Sequence, residues 1–141
     1  MTAGFSFRHE HTVRLRDLDG LGHVNNAAMI TYLEDARNAY LLGRRGKSKV
    51  SDFDFILART EIDYRTTAFL HEKIEILIGP RRIGNKSFDL EYLVREISSG
   101  RVIAEATTVL VAFDFNKNAS CLISEDLRSL LTWDLQLETE P

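Results

Sequence analysis

The sequence predicts an α+β domain: one long helix packed on a five-stranded sheet. Three observations carry that expectation. Only one long segment, 26–43, repeats its apolar residues at helical spacing. Five other segments read as strands, three of them by alternation or one-sided apolar residues and the others by residue type. The last of these are joined by turns short enough for hairpins, which makes them antiparallel.

The first strand is predicted over 5–16. Phe5, Phe7, His9, His11, Val13 and Leu15 share one face; Ser6, Arg8, Glu10, Thr12, Arg14 and Arg16 share the other. A loop follows, R-D-L-D-G-L-G-H-V-N-N, in which Gly20 and Gly22 allow turns that a side chain resists. The helix then places Met29, Tyr32, Leu33, Ala36, Tyr40 and Leu41 on one stripe. Asn25 or Asn26 caps its start and Gly43 ends it. Strands are predicted over 55–65, 72–79, 86–95 and 101–113. Gly79-Pro80 with Gly84-Asn85, then Ser98-Ser99-Gly100, punctuate the last three. Ser124 caps a short terminal helix over Leu127, Leu130 and Leu131. One helix covers one face of such a sheet, so the other face or the sheet edge calls for a second copy, and a homo-oligomer is expected.

The 141 residues suit a single domain, 1–141. Hydrophobic residues at 44% and charged residues at 28% are ordinary for a globular chain. A net charge of -3 argues against a general nucleic-acid binder. The single cysteine, Cys121, rules out an internal disulfide framework and fits a reducing compartment. With no signal-like or membrane-spanning apolar run, a cytoplasmic protein with no membrane partner is expected.

Much familiar chemistry is missing. There is no G-x-S-x-G, no G-x-x-x-x-G-K-[ST] and no G-x-G-x-x-G. His9-Glu10-His11 is not H-E-x-x-H; the two histidines read as partly buried, and no metal or cofactor is expected. Cys121 reads as a small buried hydrophobe.

The loop before the helix is where polar chemistry gathers. Asp19 is a carboxylate in a glycine-permitted loop, with His23 between it and the asparagines. The first N–H groups of a helix have no intrahelical partner and carry partial positive charge. They suit an oxyanion, and a carboxylate beside an oxyanion site suits thioester hydrolysis, where thiolate leaves without much acid help. The same residues also suit a plain turn and helix cap, with Asp17 and Asp19 making side-chain turns and Asn26 capping. A second polar cluster, Arg81, Arg82 and Lys86, reads either as a phosphate-binding group or as a solvated hairpin turn.

The stretch V-R-L-R-D-L-D-G-L-G-H-V-N-N-A-A-M-I-T-Y-L-E-D-A-R resembles the opening of the 4-hydroxybenzoyl-CoA thioesterase-like branch of the hotdog-fold superfamily. Plant acyl-ACP thioesterases carry a similar D-L-D…H-V-N-N. The resemblance continues through E-I-D-Y-R and R-V-I-A-E-A-T-T-V-L-V-A-F-D, nearly the whole chain. It implies a hotdog fold, a long central α-helix wrapped by an antiparallel sheet. It also implies a dimer joined edge to edge, often doubled to a tetramer, with sites at the dimer interface. The catalytic acid falls on Asp19, and the carbonyl-polarising N–H falls near Asn26, with Asn25 beside the substrate. The acyl-ACP enzymes add His23, but the asparagine they hold between acid and histidine is Leu21 here. The substrate implied is acyl-CoA or acyl carrier protein thioester. Two departures stand out: Ala68 replaces a proline, and His71-Glu72 replaces Gly-Asp. A second hotdog branch uses a helix glutamate; Glu34 occupies that helix, and we read it as a solvated or interface ion-pairing residue near Arg37 or Asn38. Two rival functions share the fold: a non-catalytic acyl-CoA-binding module, and a hydratase or dehydratase using an acid with a histidine.

Overall fold

The computed structural model describes residues 4–139. Its elements are β1 (Phe7–Thr12), α1 (Asn26–Leu41), β2 (Phe55–Tyr64), β3 (Lys73–Ile83), β4 (Ser87–Glu96), β5 (Val102–Asp114), the two-residue β6 (Ala119–Ser120) and α2 (Glu125–Thr139). Five strands form one antiparallel sheet in the order β1-β3-β4-β5-β2, and β6 pairs with the end of β5. The long helix on a curled antiparallel sheet is the expected hotdog architecture.

Register decides which residues meet the helix. Ile74, Ile76 and Ile78 align with His11, His9 and Phe7 on one side and with Glu96, Val94 and Tyr92 on the other. Phe88, Leu90, Tyr92 and Val94 align in turn with Leu110, Thr108, Ala106 and Ala104. This face is closed by Met29, Tyr32, Leu33, Ala36, Tyr40 and Leu41 of α1, all buried. Each large apolar side chain buried here contributes about 1.5–3 kcal/mol against conformational entropy. The small residues Ala36, Ala104 and Ala106 let helix and sheet approach closely.

Four local expectations change. The first strand stops at Thr12, because Leu15–Asp17 turns into a 3₁₀ segment in which the Arg14 N–H is taken by the Asp17 carboxylate. Leu15 is therefore 73% exposed. The third strand runs past Pro80 to Ile83, with a register shift between Pro80 and Arg82; a bulge is where a residue without an N–H is tolerated. The α-helix ends at Leu41, but Gly43 is not its left-handed stop. The chain stays right-handed through Gly43–Arg45, and Gly46, at φ 71, makes the left-handed stop. The terminal helix is a full 15 residues. Leu127 and Leu131 join the core beside α1, and buried Asp134 accepts hydrogen bonds from Tyr40 (2.6 Å) and Arg44 (3.0 Å).

Candidate active site at the helix N-terminus

The loop between β1 and α1 is a small self-paired unit. Leu18 and Val24 form an antiparallel bridge. Asp19 N–H donates to His23 C=O at 2.8 Å, and Asn25 N–H donates to Asp17 C=O at 2.8 Å. Gly22, at φ 81, takes the left-handed turn that closes the loop. Asn25 is the cap: its Oδ1 accepts from Ala27 N–H at 2.7 Å. Asn26 is the first helical residue, so its own N–H lacks an intrahelical acceptor.

The two acids of D-L-D have different surroundings. Asp17 is enclosed. Its Oδ2 accepts from Tyr32 Oη at 2.5 Å, from Arg14 N–H at 3.0 Å and lies 3.3 Å from His11 Nε2. Burial works to raise its pKa, but the hydrogen bonds from Tyr32, Arg14 and His11 outweigh that and hold it below the usual carboxylate range. Burial and Asp17 together push the Tyr32 phenol well above its ordinary value. The His11 and Tyr32 rings pack with centroids 4.2 Å apart, tilted by 41°. Asp19 is looser. Its Oδ1 accepts from Leu21 N–H (2.9 Å) and His23 N–H (3.3 Å), an Asx turn. Among the described residues its Oδ2 accepts no hydrogen bond.

His23 is half-buried, with its ring edge-on to Phe69 at 5.4 Å. Residues 66–72 thus strap the loop: Val24 N–H donates to Ala68 C=O, and His23 bridges to Phe69. The departure at His71-Glu72 is absorbed here. His71 adopts φ 67, the conformation a glycine takes without cost. The Glu72 carboxylate accepts from Phe69 N–H (2.8 Å) and from Arg101 (2.8 Å).

Other candidates lie elsewhere. The Arg81 guanidinium is engaged by Glu91 and the Pro80 carbonyl, and stacks on Phe5. Arg82 binds Asp89 at 2.9 Å and Ser87 at 2.8 Å. Lys86 is exposed and in no ion pair among the described residues. This turn closes the far end of β3, about 30 Å from Lys73 beside the loop at about 3.3 Å per residue. One protomer therefore does not bring Arg81, Arg82 and Lys86 to Asp19. An apolar cleft of ≈ 770 Å³, lined by Val50, Phe53, Phe113, Phe115 and half-buried Cys121, also sits at the far end of β2. Its size does not mark the chemistry, since none of its lining residues belongs to the loop. His9 and His11 are half-buried, and no metal-ligating cluster occurs among the described residues.

Two sets of residues take roles beyond those the sequence predicts. Tyr32 and His11 read as core-facing residues, yet they hold Asp17. Arg37, expected only as a neighbour of Glu34, is buried. Its signal was present: it lies four residues after Leu33 and three before Tyr40, on the apolar stripe.

A model of the thioesterase-like superfamily matches residues 13–131. The long-chain acyl-CoA thioesterase FadM of Escherichia coli strain K12 is 27% identical over 121 residues, covering 84% of this chain and 92% of that protein. The structure of a thioesterase from Thermus thermophilus complexed with coenzyme A and Zn is 31% identical, with TM-score 0.79, covering 90% of this chain and 98% of that one. The fold is also that of a 1,4-dihydroxy-2-naphthoyl-CoA thioesterase from Synechocystis, with TM-score 0.81 and 21% identity over 96% of this chain and 98% of that one. With the loop, the helix N-terminus and strands β2 to β5 all inside the matched span, the chain belongs to the thioesterase-like superfamily.

Proposed function

We propose that this chain hydrolyses acyl-CoA thioesters to free acid and thiol. Asp19 serves as nucleophile or as general base on water. The N-terminus of α1, at the Asn26 N–H, polarises the thioester carbonyl and stabilises the oxyanion. His23 orients the loop and the thioester. Asn25, committed to capping, fixes the helix start on which the oxyanion site depends. The observation that carries the reading is the state of Asp19: one carboxylate oxygen anchored by two N–H groups, the other unclaimed, in a loop fastened to the start of a helix.

Acyl-CoA is favoured as substrate by the relatives named for it and by the neighbour that holds coenzyme A. The hydratase reading needs an acid and an imidazole working together. Among the described residues the His23 ring makes no hydrogen bond to Asp19, which supports hydrolysis instead.

The working unit in this reading is a homo-oligomer. Edge strand β2 exposes Ile56, Leu57 and Tyr64 and presents unpaired backbone, which a second copy's β2 pairs. The phosphates of coenzyme A then meet the basic turn of that second copy, Lys86 first. No helix among the described residues is long and apolar enough to cross a membrane; we place the protein in the cytoplasm.

Thiol release from a panel of acyl-CoAs tests the reading. Turnover of at least one is expected. Binding without cleavage gives the acyl-CoA-binding module; hydration of an enoyl-CoA without thiol release gives the hydratase.

A further inference from the structure

Arg37 carries a charge into the packed side of α1, where it is only 4% exposed. A guanidinium offers five N–H donors. Among the described residues it makes one hydrogen bond, Nη1 to Tyr92 Oη at 3.3 Å, and that phenol is shared with Thr108 Oγ1 at 2.7 Å. The nearest carboxylate, Glu34 Oε2, lies 4.0 Å from Nη2. Idle donors on a buried cation are costly. No enclosed side-chain nitrogen or oxygen among the described residues lacks a partner, so the idle N–H groups open onto space. That space is a cavity of ≈ 220 Å³ between α1 and β2, lined by Glu34, Arg37, Asn38, Phe53, Phe55 and Leu57.

The lining selects a ligand chemistry. Phe53, Phe55 and Leu57 take an apolar body. Arg37 donates, Glu34 accepts and Asn38 does both. An anion meets one attraction and one repulsion. A neutral hydroxyl satisfies both charged groups, accepting from Arg37 and donating to Glu34.

The position selects a length. Glu34 and Arg37 lie about 12–17 Å along α1 from Asn26 at 1.5 Å per residue. An extended chain advances about 1.2 Å per backbone bond, so about ten to fourteen bonds cover that distance. Half-buried Ile30 and Ile62 lie between, with Ile62 in register with core-facing Ala106. Since a dry cavity of about 150 Å³ holds benzene, ≈ 220 Å³ holds a chain end and its hydroxyl.

We propose that the Glu34–Arg37–Asn38 cavity is the subsite for the far end of the acyl chain, and that the preferred substrate is a medium-to-long acyl thioester bearing a hydroxyl near its terminus. This rests on the thioester-hydrolase reading above. The test compares kcat/KM of the full chain for dodecanoyl-CoA and ω-hydroxydodecanoyl-CoA by thiol release. The hydroxylated chain is expected to be favoured by about tenfold or more. Arg37→Met and Glu34→Met, which remove the donor and the acceptor, are each expected to bring the ratio to about one. Should Arg37→Met fail to fold, Glu34→Met decides, since that side chain is 60% exposed. A wild-type ratio within about twofold of one overturns the subsite and leaves the hydrolase reading standing. So does a large ratio that Glu34→Met leaves intact, or an Arg37→Met variant that loses melting temperature but keeps the ratio. No thiol release from either substrate overturns both readings, and loss of all turnover in Glu34→Met overturns the subsite and moves the catalytic group onto the helix.

Discussion

The loop before α1 and the turn between β3 and β4 both present themselves in the sequence as clusters of charge, and the structure treats them oppositely. In the loop, R-D-L-D-G-L-G-H-V-N-N, the backbone satisfies itself across Leu18 and Val24, which leaves half of one carboxylate unclaimed. In the turn, Arg81 and Arg82 are taken up by Glu91 and Asp89 of the neighbouring strand. A charge is available for chemistry only when the fold supplies no closer partner. Strand pairing brings cross-strand acids within reach of the arginines. The glycine turn gives Asp19 main-chain donors, but on one side only.

The largest effect is expected at Asp19. Asp19→Asn keeps the Asx-turn acceptor and removes the charge, so kcat should fall by about 10²–10⁴-fold with a much smaller change in KM. Near-normal turnover would end the comparison in favour of a purely structural loop. His23→Ala should fall between this variant and wild type.

Asp17→Asn sharpens the contrast between the two acids. It weakens the Tyr32, Arg14 and His11 contacts, so stability should drop by about 1–3 kcal/mol in chemical denaturation, with less effect on kcat than Asp19→Asn. The pH dependence carries a sign. The folded-state pKa of Asp17 is depressed. Its stabilising contribution is therefore present above the ordinary carboxylate pKa of about 3.9 and is lost as pH falls through the lower folded value. Melting temperatures measured down through pH 4 should fall less steeply in Asp17→Asn than in wild type. An unchanged acid limb would mean that the Tyr32–Asp17 contact contributes little.

The strap offers a smaller effect in the other direction. His71→Gly relieves a left-handed backbone at a cost in unfolded-chain entropy, and should stabilise by up to about 1 kcal/mol. Loss of stability would show that the His71 side chain matters more than its φ.

The smallest effect is expected at the basic turn. Replacing Arg81, Arg82 and Lys86 together by Gln should raise KM for acyl-CoA and flatten its salt dependence, leaving kcat nearly unchanged. Because both arginines are already paired, Lys86→Gln alone should account for much of the change. An unmoved KM assigns the turn to sheet stability only.

By itself the sequence determined the period of each element, the place of the long helix, the antiparallel hairpins and the crowding of polar residues ahead of α1. These follow from local rules: side-chain periodicity, caps and glycine turns act over a few residues. Tertiary structure decided the rest. The first strand ended early because Asp17, just past the predicted strand, captured the Arg14 backbone. Asp17 and Asp19, chemically identical, were separated by Tyr32, a residue well along the chain. Arg37, read beside Glu34 as a helix ion pair, was buried because the apolar stripe carries it against Tyr92 of β4. Each outcome depends on which distant group reaches a charge first, and that is a property of register and packing rather than of neighbouring residues.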